Sequence, residues 1–278
     1  MTPSPKTALI LADIEGITGV FEKCQCKPLS PEWKEARHLI TADVSAAIAG
    51  LKDGGVDTIH IRDMHGTGFN LLPHLLPEDH IHLSQGHRWY PIPLLGELPE
   101  ADVALMIGWH GAPDQIDAFS PHIFHRDIDW VRLDEKAVTE VEIMAAVLAE
   151  ADIPVAMVTA DHAACRRILA NLPWLLSVEI PKRAVPAKEM ANIHRRIRDN
   201  ARKAGKGSRT FPLYKKGPWL LESSIRGKVR KGYFPSAQAV LGTLLRQSVF
   251  RGIPATMIPS ILHGYRWMGF WQNLLNFP

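Results

Sequence analysis

The chain has 278 residues, 46% hydrophobic and 22% charged, with a formal net charge of +3 at pH 7. That balance excludes a disordered polypeptide, and the small net charge excludes a surface built throughout to hold nucleic acid. Three cysteines, Cys24, Cys26 and Cys165, do not make a disulfide framework.

The length fits a single α/β domain over 1–278, with a core over about 7–164 and a C-terminal portion over about 165–278. The apolar run "TALILAD" predicts a buried strand. "SPEWKEARHLITADVSAAIAGLKDGG" opens on a Ser-Pro start signal and closes on Gly54-Gly55, which predicts a helix. "VDTIHIRDMHG" predicts a strand ending at Asp63 and His65, and "ADVALMIGWHG" one ending at His110. Between them, 71–98 is rich in Pro and His and irregular, with a short strand at "HIHL". "SPHIFHRDIDWVRLDEK" reads as two short strands or a hairpin, "AVTEVEIMAAVLAEAD" as a helix and "IPVAMVTAD" as a strand. This alternation predicts a largely parallel sheet flanked by helices.

Beyond Asp161 the pattern is a less clear α+β portion. Helices are expected over 162–171, 187–204 and 236–250, a strand near 219–224, and a loop at "KAGKGSR". Basic residues cluster between Lys182 and Lys231. They read as a solvated helix face, or as a patch for anionic groups, without the interleaved aromatics that stack bases. The aromatic "GYRWMGFWQNLLNFP" is expected to pack on the body or on a sister subunit. No segment suits a membrane span and the N-terminus lacks a secretory pattern, so no membrane association and a cytoplasmic location are expected.

Ligands of open parallel sheets bind beyond the carboxyl ends of the strands. Three expected strands end in metal-type ligands: Asp13 and Glu15, then Asp63 and His65, then His110. Asp13 and Glu15 lie two apart on extended backbone, so their side chains point to one side. A divalent cation would turn their repulsion into attraction, and mixed His and carboxylate ligands suit zinc and related metals. Asp161 and His162 follow another strand and are weaker candidates.

In the helix near 137–150, Val138, Val141, Met144, Ala145 and Leu148 form an apolar stripe with Glu140 at its edge. A carboxylate there needs a partner, either a salt bridge or a metal. His122 and His125 are both candidates for a general acid/base. Cys24 and Cys26 are too closely spaced for the usual CxxC motif and read as incidental. His60, His74, His80, His82 and His87 read as surface or hydrogen-bonded residues, and His38 and His194 as exposed on helices.

"DIEGITG" (13–19), "RDMHG" (62–66) and "IGWHG" (107–111), in this order and at these separations, resemble the D-aminopeptidase family of zinc peptidases, peptidase family M55. "VTEVEIMA" and "IPVAMVTAD" continue the likeness, which is clear from about 7 to 164. The resemblance implies an α/β fold with two Zn2+ per subunit. Asp13 matches the carboxylate bridging both metals, Glu15 a ligand to one, His65 and His110 histidine ligands, and Glu140 the remaining carboxylate. His122 matches the catalytic histidine when one extra residue is allowed after His110.

It further implies hydrolysis of the N-terminal amide of short, D-amino-acid-containing peptides by a metal-activated water. The implied assembly is a ring-like homo-oligomer, a decamer among the sizes it allows, with sites facing an enclosed chamber. The chain departs from the family pattern at Pro121 and Ile123, which flank His122, and at Thr139 before Glu140. Two alternatives stay open. One is a metal-dependent hydrolase of another bond, such as a phosphoester, served by the basic stretch from Lys182. The other is a non-catalytic relative that binds peptide or metal.

Overall fold

The computed structural model describes residues 7–207 and 210–275. The first six residues, on which the expectation about a secretory pattern begins, lie outside the described residues, as do Ser208 and Arg209 of "KAGKGSR" and 276–278 of the aromatic tail.

Six strands form one parallel sheet: β1 (Thr7–Ala12), β2 (Thr58–Asp63), β3 (Ile81–Ser84), β4 (Val103–Trp109), β7 (Val155–Ala160) and β8 (Leu176–Glu179). A second, antiparallel sheet takes β5 (Ile128–Leu133), β6 (Lys136–Ala137), β9 (Trp219–Ile225) and β10 (Lys228–Phe234), in the order β10-β9-β5-β6. Strand β1 is apolar and buried from Ala8 to Ala12 because both of its faces are covered there. Ala8, Ile10 and Ala12 pack with α1 (Pro31–Asp53) and α4 (Ala187–Gly207). Leu9 and Leu11 pack into the other core, with α2 (Glu140–Glu150), α5 (Ala237–Gln247) and the antiparallel sheet. Each fully buried Leu or Ile of this strand contributes about 1.5–3 kcal/mol.

Helix α1 starts as its Ser-Pro signal predicts: Ser30 Oγ accepts from the Trp33 amide and Pro31 occupies the first turn. At Gly50 it meets α4 so closely that a Cβ would strike the Arg198 carbonyl oxygen. That packing carries α4 on to Gly207, through most of the expected "KAGKGSR" loop, with Ala204 and Gly205 buried. Ile193, Ile197 and Ala201 are buried on the same helix while Arg195 and Arg196 are exposed. The basic run is a solvated face.

The hairpin expected in "SPHIFHRDIDWVRLDEK" is β5–β6. Strands β8 and β10 were not apparent in the sequence: β8 has four residues, and β10, "KVRKGYF", is a charged edge strand with exposed side chains. α3 (His162–Asn171) follows β7, and α6 (Ile258–Leu275) covers the tail region. Among the described residues no helix is long and apolar enough to cross a membrane.

The order β3-β2-β1-β4-β7-β8 reverses direction between β1 and β4. Crossovers leave opposite sides there and open a crevice at the strand ends. Register aligns those ends, since Ala12 pairs with Asp63 on one side and Ile107 on the other.

Candidate metal centre

Beyond Ala12 the chain turns, and the Asp13 amide donates to the Ile107 carbonyl at 2.8 Å. In β4 the register shifts between Met106 and Trp109 around Gly108, whose φ is +83°. A Cβ at Gly108 would meet the Asp13 carbonyl oxygen, so glycine permits the close approach of the β1 and β4 ends. The irregularity re-aims the strand end that carries His110. Glu140 is the first residue of α2, capped by Thr139, where the helix dipole favours a carboxylate. Its Oε1 accepts from the Phe124 amide at 2.7 Å.

Asp13, Glu15, His65, His110 and Glu140 converge as the sequence reading grouped them. His65 Nδ1 lies 2.9 Å from Glu15 Oε2 and 3.4 Å from Asp13 Oδ1. His110 Nε2 lies 3.4 Å from both Asp13 Oδ2 and Glu140 Oε1. Asp13 therefore stands between two groups able to hold a metal ion, Asp13–Glu15–His65 and His110–His122–Glu140. His122 stacks on His110 with ring centroids 4.0 Å apart.

The outer nitrogens decide what the inner ones can do. His65 Nε2 is 2.8 Å from the Cys26 carbonyl, His110 Nδ1 is 3.0 Å from that of Gly111, and His122 Nδ1 is 2.9 Å from that of Ser120. A carbonyl can only accept, so each outer nitrogen carries its ring's proton. In neutral rings the inner nitrogens of His65 and His110 then turn lone pairs toward carboxylates. This wiring fixes tautomer and orientation as it does for metal-bound histidines.

The buried charges express the same demand. Burial, reinforced by the charge of Glu15, pushes Asp13 up to about 7. Burial would raise Glu15 and Glu140 as well, but His65 holds the first well below the ordinary range and His110 lowers the second. Burial would depress both imidazoles, yet Glu15 and Asp13 keep His65 well above its ordinary value, and Glu140 lifts His110 to about 10. His122 goes the other way, lowered by burial and by the charge of His110. Three carboxylates face three imidazoles, but His122 is held toward its neutral form, so the charges of His65 and His110 leave one carboxylate without a counter-charge, and the rise of Asp13 marks it. The donor set and its charge fit zinc.

The D-aminopeptidase model of peptidase family M55 matches residues 7–230. The chain belongs to this family. Membership makes it a metal-dependent peptidase. A solved structure with the same fold is described as the Zn-dependent D-aminopeptidase DppA from Bacillus subtilis, a self-compartmentalizing protease. It is 18% identical, with a TM-score of 0.76, covering 89% of this chain and 100% of that one. Among curated proteins no match is found.

Not every strand-end candidate joins the centre of this M55 chain. The Asp63 carboxylate accepts from the Asn70 and Leu71 amides and the Asn70 side chain, and so braces the loop after His65. Asp161 caps α3 through the Ala164 amide, and His162 pairs with Glu179 at the surface. His125 is exposed at the cavity rim beside Asp127. Neither group able to hold a metal includes Cys24 or Cys26, and what Cys26 contributes is its backbone carbonyl, which orients His65.

The sequence marks Lys182 only as the start of a basic stretch, whereas the fold gives it a positioning role at the centre. Its Nζ donates to the carbonyls of Glu15, Ile17 and Val20 at 2.8, 3.2 and 3.1 Å, holding the loop that carries two of the candidate ligands. Burial pulls this lysine down to about 8. It lies just past β8, at the same edge of the sheet as the other site residues. The available signal was a cation at a strand end, hidden because β8 itself went unseen.

Proposed function

We propose that this chain is a two-zinc aminopeptidase that removes the N-terminal residue of short peptides, with D-residues preferred. Asp13 is assigned to both ions, Glu15 and His65 to one, His110 and Glu140 to the other, and His122 is the catalytic histidine. One observation carries the reading: three buried carboxylates converge on two imidazoles whose outer nitrogens already donate to carbonyls. Zinc held there supplies Lewis-acid polarisation of an amide carbonyl and acidifies a water.

His122 performs the proton work. Burial and His110 favour its neutral form, and its Nδ1–H is committed to Ser120. Nε2 is left as a lone pair that accepts a proton from the attacking water and returns it to the leaving amine. Asp13, Glu15 and Glu140, all buried, keep their places through the Ile14 amide, Lys182 at the Glu15 backbone, and the Phe124 amide.

A ring-like homo-oligomer is proposed for the working assembly, supported by the self-compartmentalizing description of DppA. The cytoplasm is the proposed compartment, in keeping with three free cysteines. The phosphoester alternative rests on the basic stretch from Lys182, and among the described residues of 182–231 none lines the cavity over the centre.

The test is metal analysis of the purified chain together with turnover of short D- and L-peptides and of phosphoesters. Zinc in both groups and release of N-terminal residues from D-peptides is the expected result. A zinc-loaded protein that leaves every peptide intact would overturn the reading.

A further inference from the structure

The cavity over the centre, about 840 Å³ in volume, has an apolar wall that lies beyond the part of the chain matched by the family model. Leu245, Val249, Phe250, Leu262 and Tyr265 line it, all C-terminal to residue 230, and Leu94 joins them. Leu245, Phe250 and Leu262 are anchored in the hydrophobic core. Val249 and Tyr265 are partly open, at 38% and 44% exposure.

The wall is tied to the centre by its packing. Gly269 lets α6 settle on the ring of Phe69, which a Cβ at that position would strike, and Arg266 lies against Gly86. Phe69 and Gly86 belong to the segment that follows β2 and His65. Three cations, Lys23, Lys27 and Arg126, line the same cavity and are exposed. Among the described residues none of the three has a carboxylate in ion-pair contact. The acids lining the cavity, Asp13, Glu15 and Glu140, are engaged with His65 and His110.

We infer that the substrates are short free-acid peptides with a bulky apolar side chain, which rests on Leu94, Val249, Phe250, Leu262 and Tyr265 while the terminal carboxylate meets Lys23, Lys27 and Arg126. The inference rests on the aminopeptidase reading and names its substrate class. The volume falls within the roughly 300–1,000 Å³ of small-molecule sites, which suits a peptide of few residues. A charged side chain laid on the apolar wall would lose its water there without gaining a partner, the three cations being occupied by the terminal carboxylate.

The test uses the zinc-loaded full chain and dipeptides with Ala, Leu, Phe, Glu or Lys at the N-terminal position, in D and L series, as free acids and as C-terminal amides. Leu and Phe are expected to exceed Ala, Glu and Lys by about tenfold or more in kcat/KM, and amides to fall below free acids. Val249→Asp and Tyr265→Ala, at partly exposed positions, are expected to flatten the side-chain preference. Lys27→Ala combined with Arg126→Ala is expected to erase the difference between acid and amide.

Calorimetric titration of the same dipeptides into zinc-loaded and metal-free protein provides a readout independent of turnover. Cleavage that ignores side chain and terminus, unchanged in the variants, overturns this inference and leaves the aminopeptidase reading standing. No cleavage of any peptide overturns that reading. Calorimetry then tests what the cavity recognises: tighter binding of apolar free acids keeps the wall and the cations as its ligand site without turnover, and equal or absent binding overturns the inference.

Discussion

The cluster at the strand ends and the His194–Asp43 pair are built from the same residue types and are wired differently. His194 on α4 brings Nε2 within 2.9 Å of Asp43 Oδ1 on α1, and the other Asp43 oxygen accepts from the Thr18 amide. The sequence predicts an exposed His194 on its helix; it is half-buried because α4 packs tightly on α1 and brings it to Asp43. In both places a buried carboxylate oxygen, Glu15 Oε2 or Asp43 Oδ1, lacks a well-aligned hydrogen-bond donor. Such an oxygen therefore does not by itself mark a metal. One carboxylate against one imidazole is neutralised by a proton. At the strand ends three carboxylates meet two imidazoles that hold charge, with His122 kept toward neutrality, so burial makes the third carboxylate's charge costly and either a proton on Asp13 or a bound cation must offset it.

The sharpest break in that comparison comes from His110→Ala, which removes the imidazole between Asp13 and Glu140. Zinc content is expected to fall and peptide turnover to drop by at least about a hundredfold, since even outer partners of metal ligands cost 10–100-fold. Unchanged zinc by elemental analysis would place the metals elsewhere. Next comes His122→Ala, expected to lower kcat about 10²–10⁴-fold, the usual contribution of a positioned acid/base, with zinc retained. Its ring lies within ligand reach of the His110–Glu140 pair, so zinc loss in this variant would move His122 from catalysis into the ligand set.

Lys182→Met is expected to loosen the Glu15–Val20 loop, weakening zinc retention against a chelator by about tenfold while circular dichroism stays unchanged. Retention equal to the parent's would reduce Lys182 to a bystander. The smallest effect belongs to the other half of the comparison. Asp43 raises the pKa of His194 above its ordinary value, so the pair stabilises the fold when the ring is charged. That contribution is fully present below the unfolded value of about 6.5 and fades as pH rises through the higher folded value. His194→Ala should cost about 1 kcal/mol in denaturant melts on the acid side of that value. The difference is expected to shrink in alkaline buffer, with zinc content unmoved. A pH-independent loss would contradict the charged pair.

Much of the centre was legible because strand-end position and residue type are local signals. The buried strands β1, β2 and β4 announce themselves as apolar runs, and Asp13, Glu15, His65 and His110 follow where such runs stop. Glu140 was visible at the edge of a helical stripe. Asp63 misled for the same reason that it was visible: strand-end chemistry is common to ligands and to carboxylates that brace loops. Strands β8 and β10, the antiparallel sheet, the apolar wall and Lys182 were not legible, because each is defined by partners far away in the chain.

The residues alone determined an alternating α/β core and the acidic and imidazole side chains gathered at its strand ends, since burial periodicity and side-chain chemistry are carried by residue identity. Only the tertiary structure decided which nitrogen of each imidazole faces inward. That choice is made by the carbonyls of Cys26, Gly111 and Ser120. A carbonyl is the same group at every position of a chain, so its orienting role comes entirely from where folding puts it.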